Sequence, residues 1–182
     1  VKPIMEENKV FPARHETRQP YLQIDWVGAW TAASGATIYD GGAWPAKWQG
    51  PSWSFFLHEP TVWLMHHEFL DPVGVSYQGR REASRKDTHF LTSTDYWFKP
   101  IHSRVGPDGA LYLVDFYNQI AVHNDTRGNP HGAHNASTRP DRDHHFTRLY
   151  RIQHQQTQAL PAFDLSPKNP AKLVALLDHP NG

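Results

Sequence analysis

Short runs of apolar and aromatic residues, each cut within a few positions by Gly, Pro or Asp, recur along most of this chain and restrict it to β-structure. The clearest case is Gly106-Pro107-Asp108-Gly109, followed at once by Ala110-Leu111-Tyr112-Leu113-Val114-Asp115. Proline sets φ for one corner of such a turn and glycine accepts a positive φ, so a tight reversal feeding an apolar strand is expected. Upstream, Ala36-Thr37-Ile38-Tyr39 runs into a turn at Asp40-Gly41-Gly42. After a short helical turn at Pro45-Ala46-Lys47-Trp48, strand character returns over residues 52–57, 62–69 and 73–77, with Asp71-Pro72 as a break. A second block opens at residues 96–101, continues through 110–114 and 119–123, and closes with 146–152. Strands this closely spaced predict an all-β sandwich, barrel or propeller.

Composition narrows the partners. Aromatic residues make up 13% of the chain, and 15 Pro and 12 Gly accompany them, which favours short strands and tight loops over long helices. Eighteen basic residues balance 18 acidic ones, so no excess of positive charge exists to attract nucleic acid. The chain has no Cys, which excludes disulfides, Cys-ligated metal and c-type haem attachment within it. No apolar run approaches the roughly 20 residues a membrane-spanning helix needs. The start, Val1-Lys2-Pro3-Ile4-Met5, carries neither an initiating Met nor an apolar signal core and reads as an internal cut or a mature end.

The organisation follows. Residues 1–33 form an irregular joining segment, 34–152 hold the two strand blocks, 153–169 are a linker and 170–182 look helical. The blocks share a strand-turn-strand layout at a spacing of roughly 50 to 70 residues, somewhat above one propeller blade. Asn169 is placed to cap the helix, with Pro170 at its first position.

Several stretches resemble a known family. These are Ser34-Gly35-Ala36-Thr37-Ile38-Tyr39, Glu59-Pro60-Thr61-Val62 with Leu64-Met65-His66, and Phe90-Leu91-Thr92-Ser93-Thr94-Asp95-Tyr96-Trp97-Phe98-Lys99-Pro100. Gly106-Pro107-Asp108-Gly109-Ala110-Leu111-Tyr112, Asp115-Phe116-Tyr117-Asn118 and Asp141-Arg142-Asp143 before Arg148-Leu149-Tyr150-Arg151-Ile152 complete the set. Together they resemble the propellers called membrane-bound dehydrogenases of planctomycete-type bacteria, relatives of the soluble glucose and sorbosone dehydrogenases. The resemblance implies the last blades of a six-bladed propeller that uses pyrroloquinoline quinone, with a HEAT-like helical repeat starting at residues 170–182. It also implies export to the periplasm or a membrane surface, without a transmembrane segment here. The expected partners are the remaining blades, a cytochrome c-type domain carrying the haem that this chain lacks, and carbohydrate. Two positions depart from the family pattern, with Lys99 and His67 where Arg is common. Lysine lacks the planar fork of Arg, which weakens the case for carrying a two-pronged anion clamp over to position 99.

The candidate cofactor- or substrate-binding residues are His66, Asp95, Lys99, Asp115, Tyr117 and Arg142. His66 and His67 point to opposite faces of a strand, so one of them either faces a channel or packs. Lys99 suits an anionic cofactor or a sugar hydroxyl and Asp95 would orient it, with turn-capping and strand-bracing as the competing readings for Asp95 and Asp115. Tyr96, Trp97, Phe116 and Tyr117 either stack on a sugar ring or pack between strands. His131, His134 and His144 lie in a His-rich loop with Asp125, Asp141 and Asp143, where a transition metal or calcium competes with a solvated loop lacking any fixed ligand spacing. Two functional readings stand: part of a quinone-dependent sugar or alcohol dehydrogenase, or a non-catalytic propeller that binds carbohydrate or protein.

Overall fold

The computed structural model describes residues 9–13, 28–118, 145–158, 160–161, 164–166 and 169–181. Among the described residues, eight strands fall into two antiparallel sheets, built by consecutive reversals of the chain except at the last strand of the first sheet. The first sheet runs in the order β1 (Ser34–Tyr39), β2 (Trp53–Glu59), β3 (Leu64–Val73) and β4 (Ser76–Arg80), and β5 (Leu91–Thr92) pairs with the start of β3. The second runs β6 (Pro100–Val105), β7 (Leu111–Asp115) and β8 (Arg148–Ile152). Neither described sheet closes on itself. A short helix, α1 (Pro170–Ala175), follows, with the Asn169 side chain accepting from the Ala171 N–H at 2.9 Å and Pro170 at its start.

Residues paired across strands share a face. Thr37, Phe56 and His67 are in register, as are Tyr39, Ser54 and Phe69, and this face meets the core with Trp44 and Trp48. Leu64 to Phe69 are buried without interruption, because segments 28–32 and 9–13 cover the opposite face. Glu59 holds that cover down: its carboxylate accepts from the Thr31, Ala32 and Thr61 N–H groups at 2.9, 2.7 and 3.1 Å. A fully buried carboxylate needs such donors to offset its lost hydration.

The two sheets meet along β1 and β6. Thr37 Oγ1 donates to the Ser103 carbonyl at 2.6 Å, and the Tyr39 hydroxyl donates to the Gly109 carbonyl at 2.7 Å while accepting from the Trp44 N–H at 3.0 Å. Backbones approach so closely that a Cβ on Gly35 would lie 2.3 Å from the Ile101 carbonyl oxygen and 2.7 Å from His102 Cα. Gly35 also has φ +54°, which a side chain disfavours. At the turn end of this junction, Asn181 Nδ2 donates to the Gly106 carbonyl at 2.9 Å, and the chain end packs on Gly42.

The mostly β architecture and the tight turn at residues 106–109 agree with the sequence reading, and three boundaries differ. Asp71-Pro72 does not end a strand. β3 has already outrun β2, whose pairing stops at Trp53↔Leu70, so the N–H that Pro72 lacks leaves no bond to β2 unmade. Val62 and Trp63 form a turn rather than a strand, with Trp63 at φ +57°. Residues 96–99 are likewise a turn region before β6. The expected strand at 119–123 lies outside the described residues. No helix among the described residues is long and apolar enough to cross a membrane.

Gly35→Ala is expected to destabilise the fold by more than about 1 kcal/mol, through a positive φ and a backbone clash together. Tyr39→Phe strands the Gly109 carbonyl and the Trp44 N–H and is expected to cost about 1–3 kcal/mol. Denaturant midpoints check both, and midpoints equal to the unsubstituted chain would refute the tight junction.

Candidate functional site

β6 begins and β7 ends at the same place, opposite the Gly106–Gly109 turn, and four of the sequence candidates gather there. The Asp115 carboxylate is buried and accepts through Oδ1 from the Lys99 N–H at 2.7 Å and the Tyr117 N–H at 2.8 Å. It thereby braces the end of β7 against the start of β6. Its second oxygen is buried with no partner among the described residues, and burial raises the pKa of the group above the ordinary carboxylate value.

Lys99 is buried as well. Its ammonium donates to the Tyr96 carbonyl and sits 5.7 Å from the Trp63 ring centroid, while the Trp63 indole N–H donates to the same carbonyl at 3.1 Å. Desolvation brings the Lys99 pKa down to about 7, against the opposing pull of Asp115 and Asp95.

Outside this braced layer lies a surface pocket of about 360 Å³ lined by Trp97, Tyr117, Phe146, Thr147 and Arg148. Trp97 packs 5.6 Å from Tyr117 and 6.2 Å from Phe146, ring centre to ring centre. The Arg148 guanidinium lies 3.2 Å from the centre of the Tyr117 ring. Asp95 ties the set together: Oδ1 accepts from the Trp97 N–H at 3.0 Å and Oδ2 from the Tyr117 hydroxyl at 3.1 Å, with Arg148 Nη1 at 3.7 Å. Tyr117 holds φ +36°, a conformation unusual for a residue with a side chain. Aromatic faces beside a fixed carboxylate and guanidinium can stack on the C–H face of a sugar and bond its hydroxyls.

His66 stands apart from this group. It is buried under Trp30, at a ring distance of 5.5 Å, and belongs to a chain of hydrogen bonds. The Phe11 N–H donates to His89 Nε2 at 2.8 Å, which leaves the His89 proton on Nδ1. That proton is shared with His66 Nδ1 at 3.0 Å, so His66 carries its own on Nε2 and donates to Glu68 Oε1 at 2.9 Å. The other face of β3 presents His67 to Trp48, Phe56 and Phe69. Desolvation, aided by the neighbouring His66, lowers the pKa of both His67 and His89 to about 3.

Phe116 is exposed and Tyr96 packs against Trp63, so neither joins the pocket. Arg142, His131, His134 and His144 lie outside the described residues. Among the described residues no group of three or more His, Asp or Glu side chains is arranged to hold a metal ion. The sequence reading did not single out Arg148, Phe146, His89 or Glu68. Arg148 comes opposite Asp115 only through the register of β7 and β8, a pairing no local spacing announces.

Residues 2–156 match the model of the family described as domain of unknown function DUF7133, and the chain belongs to that family. No curated protein and no solved structure matches it.

The buried bases make stability depend on pH with a definite sign. His67 and His89 have folded pKa values below the unfolded one, so between pH 6.5 and 3 the unfolded chain binds more protons. Stability is expected to fall on acidification across that window, by about 1.4 kcal/mol per pH unit for each histidine. Lys99 acts likewise between pH 10.5 and 7, so stability contributed by this group rises with pH there. Urea midpoints across pH should show both trends, and Lys99→Met should flatten the alkaline one. A profile flat from pH 6.5 to 4 would contradict the buried neutral histidines.

Proposed function

We propose that this chain supplies a carbohydrate-binding surface to a β-propeller, in an exported protein that oxidises sugars or alcohols and passes the electrons to a haem domain. The observation that carries the reading is the Trp97–Tyr117–Phe146 pocket with Asp95 and Arg148 fixed at its rim. Such a surface meets a ring of C–H groups with its faces and hydroxyls with its charged edge.

The propeller part rests on topology. Both sheets follow sequence order apart from β5, which returns to pair with β3, and they meet chiefly through their first strands, β1 and β6, with β2 also reaching β6. Blades arranged around an axis bring their first strands together in this way, with later strands stepping outward. The exposed Ile38, Leu149 and Tyr150 suit faces that further blades would cover.

The quinone expectation does not fit Lys99 and Asp115. The carboxylates of pyrroloquinoline quinone call for a cationic cradle, whereas Lys99 is buried against the Tyr96 carbonyl and Asp115 is engaged by backbone N–H groups. The role proposed for the Trp97 pocket is therefore substrate binding.

In the intact protein, Trp97→Ala is expected to weaken binding of the sugar retained from a broad panel about tenfold, roughly 1.4 kcal/mol. With dye reduction as the readout, KM should rise about tenfold while kcat stays near that of the unsubstituted protein. Failure of the intact protein to bind or oxidise any sugar or alcohol of the panel would refute the reading.

A further inference from the structure

The fastening of residues 9–13 depends on a nitrogen lone pair that one proton would remove. This strap is tied to segment 28–32 by the Val10 N–H, which donates to the Gly28 carbonyl at 3.0 Å, and by a bridge between Lys9 and Ala29. Its bond to the structure beneath is the Phe11 N–H, which donates to His89 Nε2 at 2.8 Å. Arg81 adds an outer tie to the Lys9 carbonyl at 3.2 Å, with its guanidinium carbon 5.4 Å from the Phe11 ring centre. A segment held by so few bonds is of the kind that opens locally.

The hydrogen-bond chain behind that nitrogen has no room for another proton. With Nε2 accepting from Phe11, His89 keeps its proton on Nδ1, and the 3.0 Å gap to His66 Nδ1 holds that one proton only. His66 Nε2 already donates to Glu68 Oε1. Glu68 Oε2 is buried with no partner among the described residues, so a hydroxyl there would find no acceptor. A further proton therefore lands on His89 Nε2, where it points at the Phe11 N–H, and two donors face each other.

The surroundings refuse that proton while the strap is closed. Phe11 and Trp30 cover His89 at ring distances of 5.8 and 6.3 Å. His66 and Glu68 face it from β3, and Arg81, 3.9 Å from Glu68 Oε1, faces it from beyond β4. Desolvation first, then His66 and Arg81, lowers the His89 pKa to about 3. Glu59 is a separate anchor, since its carboxylate bonds the N–H groups of Thr31, Ala32 and Thr61.

We propose that residues 9–13 form an acid-released strap, in which a proton on His89 Nε2 displaces the Phe11 N–H and frees the strap while the first sheet stays paired. Opening hydrates His89 and returns it to the ordinary histidine pKa. Between pH 6.5 and 3 the open form thus binds a proton that the closed form refuses, so closure weakens as pH falls through that window. One linked proton makes the open population grow about tenfold per pH unit. Release uncovers the His89 ring and Val10, which is buried when the strap is closed. No residue of the Trp97 pocket takes part, so this proposal stands apart from the sugar reading.

Hydrogen exchange of the intact protein, followed by mass spectrometry at about pH 6, 5 and 4 and corrected for intrinsic rates, tests this. Protection over residues 9–13 is expected to fall about tenfold per pH unit, while Leu64 to Phe69 in β3 stay protected. His89→Gln keeps an acceptor for the Phe11 N–H but cannot take up the proton, so it should hold the strap closed with no pH slope. His89→Ala offers no acceptor and should leave the strap exchanging fast at every pH, again without a slope. A strap indifferent to pH in the unsubstituted protein, a slope that survives in either variant, or opening only together with β3 would overturn the proposal.

Discussion

The contact between β1 and β6 sets the geometry of the rest. Two strands from different sheets approach until only a glycine fits at position 35, and two hydroxyls bond across the contact, Thr37 to the Ser103 carbonyl and Tyr39 to the Gly109 carbonyl. These bonds are short, buried and directional, so they fix the angle between sheets in a way that apolar packing alone would not. They also hold the β6–β7 hairpin by its turn. The opposite, open end of that hairpin is then free to carry side chains that serve something other than the core.

At that open end, burial sorts the chemistry. Asp115 and Lys99 are inside and spent on structure, the one bracing two backbone N–H groups and the other capping the Tyr96 carbonyl. Asp95, Tyr117 and Arg148 are nearer solvent and form the edge of an aromatic pocket. The division follows from strand geometry. Alternate residues of β7 point to opposite faces, and the chain leaving Asp115 turns outward through Tyr117, whose φ of +36° aims its ring at Trp97 and Arg148.

How much of this was legible in the sequence depended on the range of the interaction. The Gly106-Pro107-Asp108-Gly109 turn, the strand after it and the Asn169 cap are local, and spacing alone announces them. The opposite faces of His66 and His67 follow from the period of a strand. What sequence could not carry is pairing across distance: Arg148 opposite Asp115, His89 against His66, and Glu59 under Thr31 and Ala32. Pro72 misled for a related reason. Its cost depends on whether a neighbouring strand waits for the missing N–H, and β2 had already ended.

A direct test is an experimental structure of the intact protein with a bound neutral sugar. The expected result is β1 and β6 side by side along a central axis, further sheets covering the exposed faces beyond them, and the sugar ring lying on Trp97 and Tyr117. Two sheets closed into a sandwich complete by itself, with the sugar elsewhere, would contradict both the blades and the site.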